Sequence, residues 1–173
     1  MTDHGLTPFE GYTRQVGRFV AMLADGRSRL RRDLETLDES QLDRTLPWQP
    51  NSIGTLLYHV AAIELDWTFA DIRETTQFPD GTSDWFPTTV REEGGRLSPV
   101  SDSLQGHLDR LAWTREHLLV TLGRLTDDDL DRIVTNADDG STNGIAWILH
   151  HLIQHEAEHR GQIGEIRAAL RAR

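Results

Sequence analysis

Residues 148–170, near the C-terminus, read ILHHLIQHEAEHRGQIGEIRAAL. With 100° of rotation per residue of an α-helix, four apolar residues of this segment point in nearly one direction: Ile148, Leu152, Ile166 and Leu170. This spacing predicts an amphipathic helix that begins at about residue 142 and runs to the C-terminus.

Three further segments carry the same helical spacing, at about 8–37, 52–75 and 101–125. Ser52 is a residue type that caps a helix start, and the chain between the second and third segments, 76–99, is rich in Gly, Pro, Thr and Ser. No segment alternates in the way a strand does. The sequence therefore predicts an all-α, antiparallel four-helix bundle, with a long loop between the second and third helices and one domain over 1–173.

The composition excludes several classes of function. A net charge of −10 disfavours nucleic acid as a partner, because phosphate binding needs clustered basic residues. All 18 basic residues are arginine and cysteine is absent, so the chain has no lysine or cysteine nucleophile and no thiolate ligand. The polar N-terminus and the absence of a membrane-length apolar run predict a cytoplasmic protein without membrane contacts.

Two histidines replace core residues on the fourth helix. His155 and His159 lie in the middle of its apolar stripe, and imidazoles four residues apart can converge on one metal ion. Burying both without a metal or a good partner would cost a few kcal/mol, on the order expected for unpaired polar groups. The third ligand must come from another helix, and His59 is the best placed, one turn from Leu56 and Ile63 on the second helix.

Other interpretations of the histidines stay open. Each could be an ordinary buried histidine with a hydrogen-bond partner. His151 lies one turn before His155 at the edge of the apolar face, and it could support a ligand or replace one. His150 points away from the stripe, and His4 precedes the helices.

Two stretches resemble a known family. The segments SIGTLLYH (52–59) and HHLIQHEAEHRGQI (150–163) are similar to the DinB-like superfamily, which includes bacillithiol transferases and the mycothiol-dependent maleylpyruvate isomerase. The resemblance implies an up-up-down-down four-helix bundle and a divalent metal, commonly zinc or nickel, on His59, His155 and His159. It also implies a homodimer.

The predicted activity is metal-dependent transfer of a low-molecular-weight thiol, of the mycothiol or bacillithiol type, to an electrophilic small molecule. Three imidazoles leave a coordination position at which a thiol or water could be activated, so related isomerase or hydrolase chemistry is also open. One alternative is a stress protein that binds a metal or ligand without catalysis. A remote alternative is a zinc peptidase, because His155 to His159 matches HExxH with Glu156 as the base, but no histidine occurs in the 14 residues after His159.

Four residues are weaker site candidates. Glu156 and Gln162 adjoin the ligands and could orient them or relay a proton. Arg115 lies among leucines on the apolar face of the third helix, where a charge needs a partner. It either forms a structural ion pair or reaches into the metal cleft to hold a carboxylate of the thiol or substrate. Trp85, with Phe86, is expected to fold back near the open metal position and help shape the substrate pocket. The alternative is that the two residues pack at a dimer interface or anchor the loop.

Overall fold

A computed structural model describes residues 6–88 and 97–172 of the chain. His4 and the loop residues 89–96 therefore lie outside the described residues. The helices, in chain order, are α1 (Arg14–Leu34), α2 (Ile53–Asp66), a single turn α3 (Thr82–Trp85), α4 (Leu104–Leu122) and α5 (Ile145–Arg171). A π-helical segment, Trp67–Ile72, continues α2. Helices α1, α2, α4 and α5 form a four-helix bundle with a long connection between α2 and α4, so the predicted fold is confirmed.

Local sequence explains where the helices begin. The Ser52 hydroxyl accepts a hydrogen bond from the Thr55 backbone N–H at 3.1 Å and caps α2, as predicted. The first helix begins at Arg14, later than the predicted residue 8. Gly11 explains the difference, because its φ of 88° is a left-handed conformation that cannot continue a right-handed helix.

The order of helix directions differs from the order that the resemblance implied. Arg27 of α1 binds Glu156 of α5, and the chain just after α1 meets the end of α5 where Arg167 donates to Thr36. The two contacts occur in the same order along α1 and along α5, so these helices are parallel. Gly54 lies beside His107, and Glu64 accepts from Thr114, so α2 and α4 are also parallel. Leu34 at the end of α1 shares an apolar cluster with Ile53 at the start of α2, so α1 and α2 are antiparallel. The bundle is therefore up-down-down-up, and the up-up-down-down expectation is wrong.

A short hairpin precedes α5, although the sequence indicated no strand. Strand β1 (Ile133–Thr135) pairs antiparallel with β2 (Thr142–Gly144). With three residues each, the strands are too short for an alternating pattern to be visible. The turn between them holds Gly140 at a φ of 74°. The hairpin moves the start of α5 from the predicted residue 142 to Ile145.

The core has an apolar cluster at each end of the bundle. One cluster joins the end of α1, the start of α2 and the end of α5 through residues such as Leu34, Leu57 and Ile166. The other joins the start of α1, the end of α4 and the start of α5. Helices α2 and α4 approach closely at Gly54, where an added Cβ would lie 2.8 Å from the His107 ring. In the described residues no helix combines the length and apolar character needed to cross a membrane.

Candidate metal centre

Three histidines from two helices meet between α2 and α5. The Nε2 atom of His155 lies 3.1 Å from Nε2 of His59 and 3.1 Å from Nε2 of His159. One nitrogen from each ring lies within 4.8 Å of the corresponding nitrogens of the other two. His59 is buried, whereas His155 and His159 are half-buried, so the cluster is reached from the side of α5. Among the described residues this is the group of potential ligands that could hold a metal ion.

The chemistry of the three nitrogens fits a metal ion better than hydrogen bonds alone. A neutral imidazole nitrogen carries either one hydrogen or one lone pair, so Nε2 of His155 cannot bond fully to both neighbours. Two nitrogens bound to one ion at 2.0–2.1 Å and a tetrahedral angle lie about 3.3 Å apart. The observed separations are close to that value. The three residues therefore fit a divalent ion that accepts one lone pair from each ring.

Gln162 and burial prepare His159 for this role. The Nδ1 atom of His159 lies 2.9 Å from Oε1 of Gln162, an acceptor, which places the ring hydrogen on Nδ1 and the lone pair on Nε2. Burial lowers the pKa of His159 below its usual value. Burial thus favours the neutral ring, the form that binds a metal, and outweighs the hydrogen bond to Gln162, which by itself raises the pKa. The part played by Gln162 is to direct Nε2 at the other two histidines.

His151 lies next to the cluster and contacts aromatic rings. Its ring stacks nearly parallel on Trp147, with centroids 5.2 Å apart, and contacts Trp67 at 5.1 Å. The ring centroid of His155 is 5.8 Å away. His151 thus borders His155, but it is not a member of the converging group that the described residues form. His150 is exposed, in agreement with its predicted direction away from the stripe.

A buried network of four charges, one from each bundle helix, lies at the centre of the protein. Arg115 donates from Nη2 to Glu64 at 2.6 Å and to Glu156 at 2.9 Å. Arg27 binds the same two carboxylates, with Nε 2.7 Å from Glu156 and Nη2 3.2 Å from Glu64. Of the two roles predicted for Arg115, these contacts are those of a structural ion pair. Its side chain borders a cavity between α1 and α4, and the substrate-carboxylate role predicted for it in the histidine cleft has no support from these contacts.

Glu156 belongs to this buried charge network and not to the space beside the three histidines. Both of its carboxylate oxygens accept hydrogen bonds from guanidinium groups. A peptidase base must instead reach the water beside the metal, so the HExxH interpretation loses its central residue. Glu156 fixes the helix turn that carries His155, which makes it a structural support for that histidine.

The sequence interpretation missed Glu64 and Arg27. Burial would raise the pKa of the Glu64 carboxyl, but the charges of Arg115 and Arg27 outweigh that effect and lower it, which keeps the group ionised. A signal for Arg27 was present, because it fills the gap between Leu23 and Leu30 on the apolar stripe of the first helix. Glu64 gave a weaker signal, because it is one of two acidic residues, with Asp66, near the end of a largely apolar helix.

The two aromatic residues of the long loop have different environments. Trp85 stacks on Trp113 of α4 with ring centroids 5.7 Å apart, and its carbonyl oxygen accepts from Arg110. These contacts anchor the loop to α4 and do not bring Trp85 to the histidines. Phe86 lines a cavity of about 500 Å³ that also includes Ile63 of α2. Ile63 is one turn after His59 on α2, so this wall of the cavity lies one helical turn from the histidine cluster, although none of the three histidines lines the cavity.

Comparisons with known proteins agree on the fold. The sequence model of a family described as the DinB superfamily matches residues 22–163. A conserved protein from Enterococcus faecalis has a similar structure, with a TM-score of 0.66, 16% identity, and coverage of 90% of this chain and 96% of that one. A DinB-like protein from Bacillus cereus has a TM-score of 0.62 and 21% identity, with coverage of 88% and 91%. The chain has no significant match among curated proteins.

A third similar structure carries a functional description. It is YfiT from Bacillus subtilis, described as a probable metal-dependent hydrolase with an unusual four-helix bundle topology. The TM-score is 0.63 at 16% identity, and the match covers 95% of this chain and 93% of that one. At such identities the likeness shows the shared fold.

Proposed function

The chain belongs to the DinB superfamily, and on that premise we propose that it is a metal-dependent enzyme acting on a small molecule. In this proposal His59, His155 and His159 hold one divalent ion, zinc or nickel. The activity is the transfer of a low-molecular-weight thiol to an electrophilic carbon. Neutral imidazoles suit both metals, and no thiolate competes for the ion because cysteine is absent.

The observation that carries the proposal is the double contact of His155. Its Nε2 atom faces the Nε2 atoms of His59 and His159 at 3.1 Å each, an arrangement that one proton cannot satisfy. The hydrogen bond between His159 and Gln162 supports the same assignment, because it leaves the lone pair of His159 on Nε2. A bound divalent ion would supply a Lewis acid that lowers the pKa of a coordinated thiol or water.

In this proposal the thiol cosubstrate supplies the nucleophile, and the side chains around the histidines orient the ligands and contact the substrate. The protein lacks cysteine and lysine, so the attacking atom comes from the bound thiol, and no enzyme thioether or Schiff base forms. Gln162 orients His159, and Glu156 fixes the turn that carries His155. The cavity beside Ile63 and Phe86 offers apolar walls for the body of a substrate whose reacting atom lies at the histidines.

Hydrolysis is a second candidate, favoured by the description of YfiT as a probable metal-dependent hydrolase. The same three histidines would serve it, with water in the place of the thiol. A non-catalytic protein that binds metal is the third possibility. A homodimer and a cytoplasmic location are further predictions that accompany the proposal.

One experiment separates these functions. The protein is purified without chelator and loaded with zinc or nickel. It is then assayed with mycothiol, bacillithiol, glutathione or cysteine against chloro-aromatic, epoxide and maleyl electrophiles, and with an ester in the absence of thiol. Thiol-dependent turnover that disappears in His155→Ala and persists in His150→Ala supports the transferase. Ester turnover without thiol supports the hydrolase, and no turnover by metal-loaded protein supports the binding protein.

A further inference from the structure

The cavity beside the histidine cluster has aromatic and aliphatic walls. It lies between the outer face of α2 and the segment that carries α3, and its volume is about 500 Å³. Phe78 and Phe86 form part of its wall on the loop side, and Ala62 and Ile63 form part on the helix side. Phe78 packs against Phe69, and Phe86 packs edge-on against Tyr58, so both rings are held by the bundle. A ligand in this cavity therefore meets a wall built of fixed phenyl rings.

A single ionisable side chain, Asp66, lines this cavity among the described residues. No arginine of the described residues forms an ion pair with it. Asp66 is exposed at the rim of the cavity, where partial desolvation still raises the pKa of its carboxyl, and the negative charges of Asp71, Asp138 and Asp139 raise it further. The carboxylate thus lies in a negative local field, with hydrophobic walls beside it and no balancing cation in the part of the chain that the structure describes.

We propose that this cavity binds a substrate that carries an ammonium group, with the carboxylate of Asp66 as the counter-ion and the rings of Phe78 and Phe86 as the walls around the organic cation. This inference rests on the proposed function and adds the substrate class. A carboxylate supplies a charge-assisted hydrogen bond to the ammonium, and aromatic faces attract the cation. An anionic group would be repelled at this end of the cavity by Asp66 and its acidic neighbours.

The position of Asp66 also sets the size of the substrate. Asp66 is seven residues after His59, two helical turns, so the two side chains leave α2 in a similar direction, His59 buried and Asp66 exposed. At 1.5 Å of rise per residue the two side chains leave the helix about 10 Å apart along its axis. The ammonium group and the atom that reacts at the histidines are therefore separated by about 10 Å, with an apolar spacer that passes Ile63.

The test measures binding to metal-free protein, so that its result does not depend on catalysis. Three probes share a phenyl ring and differ in charge: 2-phenylethylamine, 2-phenylethanol and 3-phenylpropionate. Titration calorimetry at neutral pH compares the wild type with Asp66→Asn, which removes the charge and keeps the shape. Asp138→Asn is the control, because it removes a nearby acidic charge that does not line the cavity. Thermal unfolding establishes that each variant is folded.

The wild type is expected to bind the amine about tenfold more tightly than the alcohol, as a charge-assisted hydrogen bond implies, and to bind the carboxylate most weakly. In Asp66→Asn the preference for the amine disappears, while in Asp138→Asn most of it remains. Equal affinities for amine and alcohol in the wild type overturn the proposal, as does an unchanged preference in Asp66→Asn or the absence of binding by all three probes at millimolar concentration. Metal content is measured on the same preparations, and its loss in histidine variants reports on the proposed function separately.

Discussion

The Nε2 atom of His155 lies 3.1 Å from the Nε2 atom of His59, although 96 positions separate the two residues along the chain. The contact exists because α2 and α5 are antiparallel neighbours in the up-down-down-up bundle. His59 is buried, so its ring position depends on the packing of the whole core around α2. The candidate metal centre is therefore coupled to the stability of the bundle, and this coupling can be measured.

Metal binding should stabilise the fold. A ligand that binds only the folded protein adds about 4 kcal/mol to the free energy of unfolding when its free concentration is a thousandfold above Kd. We expect the Tm of the metal-loaded protein to fall by several degrees on treatment with EDTA, roughly as that free energy implies. Differential scanning fluorimetry checks this. His155→Ala should show the same Tm with and without EDTA. If the Tm of the wild type is also unchanged by EDTA, the prediction is contradicted.

Gln162 should influence metal affinity without being a ligand. Its Oε1 atom lies 2.9 Å from Nδ1 of His159, and loss of such a supporting hydrogen bond typically costs about 10- to 100-fold in metal affinity. We expect Gln162→Ala to weaken zinc binding by that factor in competition with a chromogenic chelator, whereas Gln162→Glu keeps an acceptor and much of the affinity. Gln154→Ala, an exposed glutamine of the same helix, is the control. Equal affinity in Gln162→Ala and Gln154→Ala would refute the orienting role.

Removal of one charge from the buried network should lower the free energy of unfolding more than removal of one charge of each sign together. Arg115→Met leaves Glu64 and Glu156 with Arg27 as the remaining guanidinium of the network, and a broken buried ion pair typically costs about 3–5 kcal/mol. Urea unfolding measures the free energy. The double variant Arg115→Met with Glu64→Gln should recover part of the loss, because it removes one buried charge of each sign. Arg29→Met, in an exposed pair with Asp25, should change stability little, and a similarly small effect for Arg115→Met would contradict the account.

The helices and the convergence of His155 and His159 could be predicted because both depend on local spacing. His155 and His159 are four residues apart on one apolar stripe, so one helix turn brings them together. The partners of buried charges could not be predicted in the same way. Arg115 stands out among leucines, but its partner depends on which helix lies opposite, and that is set by helix directions. The hairpin at Ile133–Thr135 was missed because three-residue strands depend on their partners more than on their own pattern.

The positions of the two loop aromatics could not be predicted from residue spacing either. Trp85 and Phe86 are adjacent in sequence and both contact Trp113 of α4, yet only Phe86 also reaches Tyr58 of α2 and lines the cavity there. Their separation follows from α3, a single turn that ends at Trp85. Aromatic residues in an irregular segment carry no periodicity that would assign them to one surface or the other.

Stability should fall in mild acid because of His107. This residue is fully buried, and burial with the nearby Arg110 charge lowers its pKa to about 4 from an ordinary 6.5. The unfolded chain thus takes up a proton near pH 6.5, whereas the folded chain does so only near pH 4. The stability present above pH 6.5 is lost as the pH falls toward 4, by roughly 2 kcal/mol between pH 7 and pH 5.

Urea unfolding of His107→Gln at those two pH values isolates this effect. The variant should lose about that much of the pH dependence, while His150→Gln, a substitution of an exposed histidine, should keep it. Identical pH dependence in His107→Gln and the wild type would show that other groups are responsible.

The most direct test of the central claim is the metal content of protein purified without chelator, measured by inductively coupled plasma mass spectrometry. The histidine cluster predicts about one zinc or nickel ion per chain in the wild type and in His150→Ala. It predicts near-complete loss of that ion in His59→Ala, His155→Ala and His159→Ala, each of which remains helical by circular dichroism. Wild-type metal content in the folded His59, His155 and His159 variants would contradict the assignment.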